Sequence, residues 1–188
     1  AIAKTMSPWL EDGQTVVLNP GRTFGVLEFD AVLKENACRA RILLAEADTF
    51  IFTCRCEQPG HPVIYQIKDL LKIAALHPTD TDAVCTQLQR LFPCVQPASS
   101  ILETGLSNIG MLFHPLPTLM NLVRIEAKER FLYYHQGISP MVAGLIEQMD
   151  DERVRLAQAA GVRVSPVLDW LQTRYGTQGN SLYQAIQN

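Results

Sequence analysis

Short apolar runs between turn residues fill the first half of the chain, and apolar positions at helical spacing fill the second. Gln14-Thr15-Val16-Val17-Leu18 is a β-branched run bounded by Asp12-Gly13 and Asn19-Pro20-Gly21, a pattern that predicts a strand buried in a parallel sheet. Before it, Ala1 to Leu10 reads as the tail of a helix, with Ile2, Met6, Trp9 and Leu10 towards one side. After it, Phe24, Leu27, Val32 and Leu33 give helical spacing from Thr23 to Lys34. Strand, loop and helix in that order make half of an α/β crossover. Further strands are predicted at 41–46, 50–56, 63–68, 72–76 and 93–96, with Gln58-Pro59-Gly60-His61-Pro62 as a hairpin turn. Pro78-Thr79-Asp80 opens a helix running to about Leu91. His61 and His77 both precede prolines in turns and read as surface loop residues.

From Pro97 the character changes, and nothing beyond it reads as strand. Ser100 with Glu103 forms a capping-box pattern, followed by a helix from Ile101 to His114 and another from Leu119 to about Glu129. Ser139-Pro140 caps a third helix that Gly161 ends, and Ser165-Pro166 opens a fourth through Val167, Leu168, Trp170 and Leu171. Asp150-Asp151-Glu152-Arg153 reads as a solvated face of the third helix, laced by i,i+3 and i,i+4 pairs. The fold class is therefore α/β followed by all-α, with residues 1–97 as a Rossmann-like part and residues 98–188 as a helical part.

One imidazole stands inside the apolar helical run, in Asn108-Ile109-Gly110-Met111-Leu112-Phe113-His114-Pro115-Leu116-Pro117. Pro115 and Pro117 remove backbone donors and disfavour α geometry at the residue before each. A helix forced to break leaves carbonyls free around the histidine. Two readings of His114 stay open from the residues alone. It is either a core histidine bonded to one of those carbonyls, or a group that carries protons near neutral pH. Asn19-Pro20-Gly21 is likewise a tight turn or, at the carboxyl end of a strand, a place where a ligand is met. Tyr133-Tyr134 either lines a cleft or packs. Cys54-Arg55 reads as a small core residue beside a solvated cation, or as a thiol of lowered pKa.

Composition narrows the classes. A net charge of −3 and a pI near 5.8 give no electrostatic footprint for nucleic acid or an anionic membrane. No apolar run approaches the roughly 18 residues needed to span a bilayer, and no signal-peptide pattern opens the chain. Five cysteines, Cys38, Cys54, Cys56, Cys85 and Cys94, fit reduced thiols in a cytoplasmic protein. Cys54 and Cys56 lack the second pair that a zinc site needs, so no metal is expected.

The run His114-Pro115-Leu116-Pro117-Thr118-Leu119-Met120-Asn121, then Phe131-Leu132-Tyr133-Tyr134-His135-Gln136-Gly137-Ile138-Ser139-Pro140, then Asp150-Asp151-Glu152-Arg153-Val154, resembles the opine dehydrogenases, the octopine/nopaline dehydrogenase family. Leu18-Asn19-Pro20-Gly21, Leu27-Glu28-Phe29, Phe52-Thr53-Cys54-Arg55, Tyr175-Gly176 and Tyr183-Gln184-Ala185 fall in family order, so the resemblance covers nearly the whole chain. It implies a Rossmann-like domain followed by a helical substrate domain of the 6-phosphogluconate-dehydrogenase C-terminal type. It implies His114 as the catalytic histidine, Asn19-Pro20-Gly21 beside the nicotinamide of NAD or NADP, and Tyr134 on the substrate side. The chemistry implied is a reductive condensation of an amino acid with a 2-oxo acid such as pyruvate, in a homodimer.

Two departures qualify the resemblance. No Gly-x-Gly-x-x-Gly occurs in the 188 residues, and the family's Arg and Asp catalytic partners, five residues apart, lie beyond the Tyr-x-Ala-x-Gln segment near which this sequence stops. The chain thus reads as a fragment beginning midway through a Rossmann-type domain, or as a protein that has lost its phosphate-cradling half. Alone it is expected not to turn over. Asp151 and Arg153 are the first residues to test should it do so. A ketopantoate-reductase-like carbonyl reductase is the alternative enzyme, disfavoured because Gly110 and Leu106 stand where a lysine would be needed. A truncated, non-catalytic interaction module is the third reading.

Overall fold

The computed structural model describes the backbone of residues 1–188 and every side chain except that of Glu57. The chain divides into two compact units, Ala1–Asn108 and Ile109–Asn188.

The first unit begins with α1 (Ile2–Met6) and a 3-10 turn, Ser7–Trp9. Then come β1 (Thr15–Leu18), α2 (Gly25–Glu35), β2 (Leu43–Ala47), β3 (Phe52–Gln58), β4 (His61–Ile67), β5 (Leu71–Ala75), α3 (Thr81–Gln89), β6 (Val95–Pro97) and α4 (Ile101–Leu106). Four strands form one sheet in the order β1-β2-β5-β6. β1 runs parallel to β2 and β6 parallel to β5, while β2 and β5 are antiparallel. The order β1, α2, β2 is the crossover that the hydrophobic pattern predicts. β1 stands at the sheet's edge and is half-buried throughout, not buried as expected, because it has a neighbour on one side only.

β2 carries apolar side chains to both faces, as a strand covered on both sides must. Ala45 and Ala47 join Leu71, Ile73, Val84 and Val95 in one core. Leu44 points the other way, into a core with Ala3, Val26, Phe29 and Leu33. By the same alternation Glu46 follows Leu44 onto the α2 face, where it is fully buried. β3 and β4 pair as a separate two-stranded ribbon with two register shifts. Cys54 and Arg55 lie exposed on it, so the reading of Cys54 as a core residue is corrected.

α4 packs within this first unit, on β2 and β5. The expected capping box is replaced by a different bond. Ser100 occupies the N-cap position without a side-chain cap, while the Glu103 carboxylate accepts from the backbone N–H and the hydroxyl of Ser99, each at 2.8 Å. The Lys72 ammonium on β5 donates to the other Glu103 oxygen and draws the carboxylate towards the sheet.

The second unit is all helix: α5 (Gly110–Phe113), α6 (Pro115–Met120), α7 (Leu122–Glu126), α8 (Pro140–Ala159), α9 (Val167–Tyr175) and α10 (Leu182–Gln187). No strand follows β6 among the described residues. The single helix expected over 101–114 is broken at Ser107–Ile109, where the buried Asn108 amide donates to Thr23 Oγ1 at 2.9 Å. The helix expected over 119–129 is likewise two, α6 and α7, separated by Asn121. Pro115 starts α6 at its first position, where a missing N–H costs nothing.

α8 is the spine of this unit. Ser139 Oγ accepts from Val142 N at 3.3 Å to cap it, and Gly161 at φ 76° leaves it, both as the sequence predicts. Its buried positions are Val142, Ala143, Ile146, Asp150, Arg153 and Ala157, a stripe at helical spacing. Asp150 and Arg153 therefore belong to the buried face, and only Asp151 and Glu152 are solvated as expected. Inside, the pair caps α9. Asp150 Oδ1 accepts from Arg153 Nε and Nη2 at 2.9 and 2.6 Å, and its Oδ2 accepts from Val167 N at 2.6 Å. Arg153 also donates to the Ser165 carbonyl at 2.6 Å.

Candidate functional site

In the first unit, the loops that follow the parallel strands β1 and β2 leave the sheet at the same end, the carboxyl end, where open α/β sheets take ligands. The two loops are stitched together. Gly21 N donates to the Ala47 carbonyl at 3.1 Å, and Asn19 Oδ1 accepts from Ile51 N at 3.3 Å. The Asn19–Pro20 peptide is cis. Gly21 is required for lack of space, since a Cβ there would fall on the Glu46 side chain. The Arg22 guanidinium lies 5.2 Å from the Phe50 ring, and Arg22 and Phe24 both have positive φ, of 60° and 61°.

Glu46 caps α2 from the neighbouring strand. Phe24, the N-cap residue, offers no side-chain acceptor, and Glu46 Oε2 takes the Val26 N–H at 3.1 Å in its place. Its Oε1 accepts from Thr104 Oγ1 at 2.8 Å. An anion already fills the positive end of α2, so this helix terminus is not open to a pyrophosphate. Burial pushes the Glu46 carboxyl above the ordinary glutamate range, against the opposing effect of the Thr104 and Val26 donors.

A raised folded-state value means that the proton is held more tightly in the folded chain than in the unfolded one. Stability from this group is full below the unfolded value, about 4.3. It falls as pH rises through the folded value and then levels. Glu46→Gln keeps an acceptor for Val26 and offers an N–H to Thr104, whose hydroxyl also reaches the Ile101 carbonyl at 3.2 Å. The variant should match the parent in acid and exceed it in melting temperature at neutral pH. Thermal unfolding followed by circular dichroism between pH 4 and 8 reads the gap, and a gap that does not widen with pH would refute the assignment.

In the second unit, His114 joins α5 to α6 with φ −104° and ψ −54°. Its neighbour Phe113 is buried, but His114 itself is exposed, and its imidazole makes no hydrogen bond among the described residues. The reading of His114 as a core histidine bonded to a freed carbonyl is thus not what the chain builds. One freed carbonyl, that of Phe113, is nevertheless there, while that of His114 accepts from Thr118 N at 3.2 Å. The Tyr133 hydroxyl donates to the Phe113 and His114 carbonyls, 3.2 and 2.9 Å away, and lies 2.8 Å from Thr118 Oγ1. Tyr134, 44% exposed, stacks edge-on between neighbours, with ring centroids 6.1 Å from Phe113 and 5.1 Å from Tyr133. It both packs and reaches the surface.

Beneath this segment, the buried Asn121 Nδ2 donates to the Pro117 and Gly137 carbonyls at 2.8 and 2.7 Å. Arg124 sits over the Phe131 ring at 4.1 Å and pairs with Glu129. Sequence reasoning missed Glu46 and Asn121, and it weighed Tyr133 only together with Tyr134, as lining a cleft or packing. A carboxylate in an otherwise apolar strand was a visible signal for the first. Nothing local distinguishes Tyr133 from Tyr134.

Residues 97–188 match the alpha-helical domain of the NAD/NADP octopine/nopaline dehydrogenases. The opine dehydrogenase of Arthrobacter sp. (strain 1C) is 35% identical over 187 residues, covering 100% of this chain and 52% of that protein. The helical part, residues 97–188, belongs to the octopine/nopaline dehydrogenase family. The chain spans about half the length of this curated relative. The fold agrees. An octopine dehydrogenase solved with NADH and L-arginine superposes with a TM-score of 0.69 at 18% identity, over 98% of this chain and 50% of that one. A yersinopine dehydrogenase without ligand gives 0.73 at 16% identity, over 90% of this chain and 43% of that one. The architecture is accordingly that of an opine dehydrogenase: a Rossmann-like sheet unit followed by a helical unit. Among the described residues, no helix is long and apolar enough to cross a membrane.

Proposed function

We propose that these residues belong to an NAD(P)-dependent opine dehydrogenase that condenses an amino acid with a 2-oxo acid such as pyruvate and reduces the product to a secondary amine. The observation that carries the reading is the exposed imidazole of His114 on a backbone break that directly follows the buried Leu112 and Phe113. A histidine side chain titrates at about 6.5 in the absence of perturbation, which suits transfer of a proton to and from an amine near neutrality. In this reading Nδ1 or Nε2 of His114 takes the proton that the attacking ammonium must lose, and Tyr134 borders the substrate.

The residues present fit the nicotinamide end of the dinucleotide. Asn19, Pro20 and Gly21 would hold it, because their backbone lies at the carboxyl end of β1. When bound, the nicotinamide supplies the hydride. The α2 terminus, already capped by Glu46, does not serve its phosphates.

The test has two parts. The purified 188 residues, titrated with NADH and NADPH by fluorescence, should show no micromolar binding and no turnover, because no Gly-x-Gly-x-x-Gly turn is among them. The same residues in a protein of the relatives' full length should oxidise NADH or NADPH when given pyruvate and a panel of amino acids. Micromolar binding by the 188 residues would move the cofactor site, and failure of every amino acid and 2-oxo acid pair in the longer protein would refute the function.

A further inference from the structure

We propose that Tyr133 is the positioning residue of His114, acting through the backbone from which the imidazole projects; the inference rests on the reading of His114 as the proton-carrying group. The reason begins with the prolines. In a continuous helix the Phe113 carbonyl would accept from the N–H of residue 117, but Pro117 has none. The His114 carbonyl keeps a helical partner in Thr118 N, at 3.2 Å. Phe113 and His114 thus sit on a turn that its own hydrogen bonds only half define.

The Tyr133 hydroxyl fills the gap. Its one proton is shared between the Phe113 and His114 carbonyls, and its oxygen is then free to accept from the Thr118 hydroxyl. The bonded atoms are those on either side of the His114 Cα, so the tyrosine fixes the direction in which the ring leaves the chain. That matters because, among the described residues, no side chain hydrogen-bonds the ring and its backbone is what aims it. The phenol is in turn held edge-on by Tyr134, whose ring also meets Phe113. The segment carrying both tyrosines is tied down by the Gln136 N–H on the Leu132 carbonyl at 2.8 Å and by Asn121 on Gly137.

Misplacement of a reacting group by about an ångström costs on the order of a hundredfold in rate. Tyr133→Phe, in the active full-length protein, should therefore lower kcat by roughly ten- to a hundredfold while KM stays within about threefold. Thr118→Val, which removes only the outer bond, should lower kcat by a smaller factor and stands in should Tyr133→Phe fail to fold. A purely structural tyrosine would lower the melting temperature and act equally whether or not His114 is present. A positioning tyrosine adds no further loss of rate in a His114→Ala background.

A readout independent of turnover is the His114 ring resonance, assigned by its loss in His114→Ala. It should shift or split in Tyr133→Phe while those of His61 and His77 stay in place. Full activity in His114→Ala would defeat the reading on which this rests. An inactive His114→Ala with undiminished kcat in both Tyr133→Phe and Thr118→Val would overturn the positioning role alone. So would an unmoved His114 resonance in Tyr133→Phe.

Discussion

In a protein of the relatives' full length, His114→Ala should lower kcat/KM for secondary-amine formation by roughly 10²–10⁴, the range for a lost general acid–base group. The fold should not notice the change. The ring is exposed and makes no hydrogen bond among the described residues, so its removal opens no cavity and strands no buried donor. Melting temperature and NAD(P)H affinity are thus expected to match the parent, which separates a lost proton carrier from a damaged helix break. Steady-state kinetics with pyruvate and the best amino acid, run beside a cofactor titration, make the measurement. A variant that keeps more than about a third of parental kcat/KM would take His114 out of the mechanism.

Asp150→Ala is the substitution with the largest expected effect on stability. Asp150 and Arg153 are 4% and 3% exposed, and the carboxylate serves three donors: two from the guanidinium and the first N–H of α9. Removing it leaves a buried cation without its counter-charge and a helix end without its cap, at a cost of about 3–5 kcal/mol. A typical domain has only about 5–15 kcal/mol in total. The helical unit of the variant should therefore unfold at a much lower urea concentration. Replacing both members, with Asp150→Leu and Arg153→Met, should cost less than Asp150→Ala alone, because no charge is then left uncompensated. Urea unfolding followed by circular dichroism compares the two. An Asp150→Ala variant within about 1 kcal/mol of the parent would show that water reaches Arg153 and that the pair is not a buried one.

Much of the fold could be read from the chain because the governing signals are local. Short runs between turn residues locate every strand to within a few residues, and the Ser139-Pro140 start and Gly161 end of α8 follow from capping chemistry alone. What could not be read depends on partners distant in sequence. Glu103 fits a capping box by spacing, yet Lys72 on β5 claims its carboxylate. Asp150 and Arg153 look solvated in a run of four charges, and only the stripe they share with Ile146 and Ala157 shows that they point inward. Helix breaks at Asn108 and Asn121 escape a pattern reading, since each is made by a side-chain amide reaching Thr23 or the Gly137 carbonyl. The site was legible to the same degree. His114 stands out by its prolines, whereas the hydroxyl that braces it comes from a tyrosine whose neighbour is also a tyrosine.

The contact between Gly21 and Glu46 binds two positions into one unit of inheritance. Any side chain at 21 needs the space that the carboxylate occupies, and any shortening at 46 uncaps α2 and frees Thr104. Neither a side chain at 21 nor a shorter one at 46 can arise alone without a loss that selection would see. Across the descendants of this fold the two should be exchanged together or not at all, so a lineage with a small residue in place of Glu46 is the place to find a side chain on the loop.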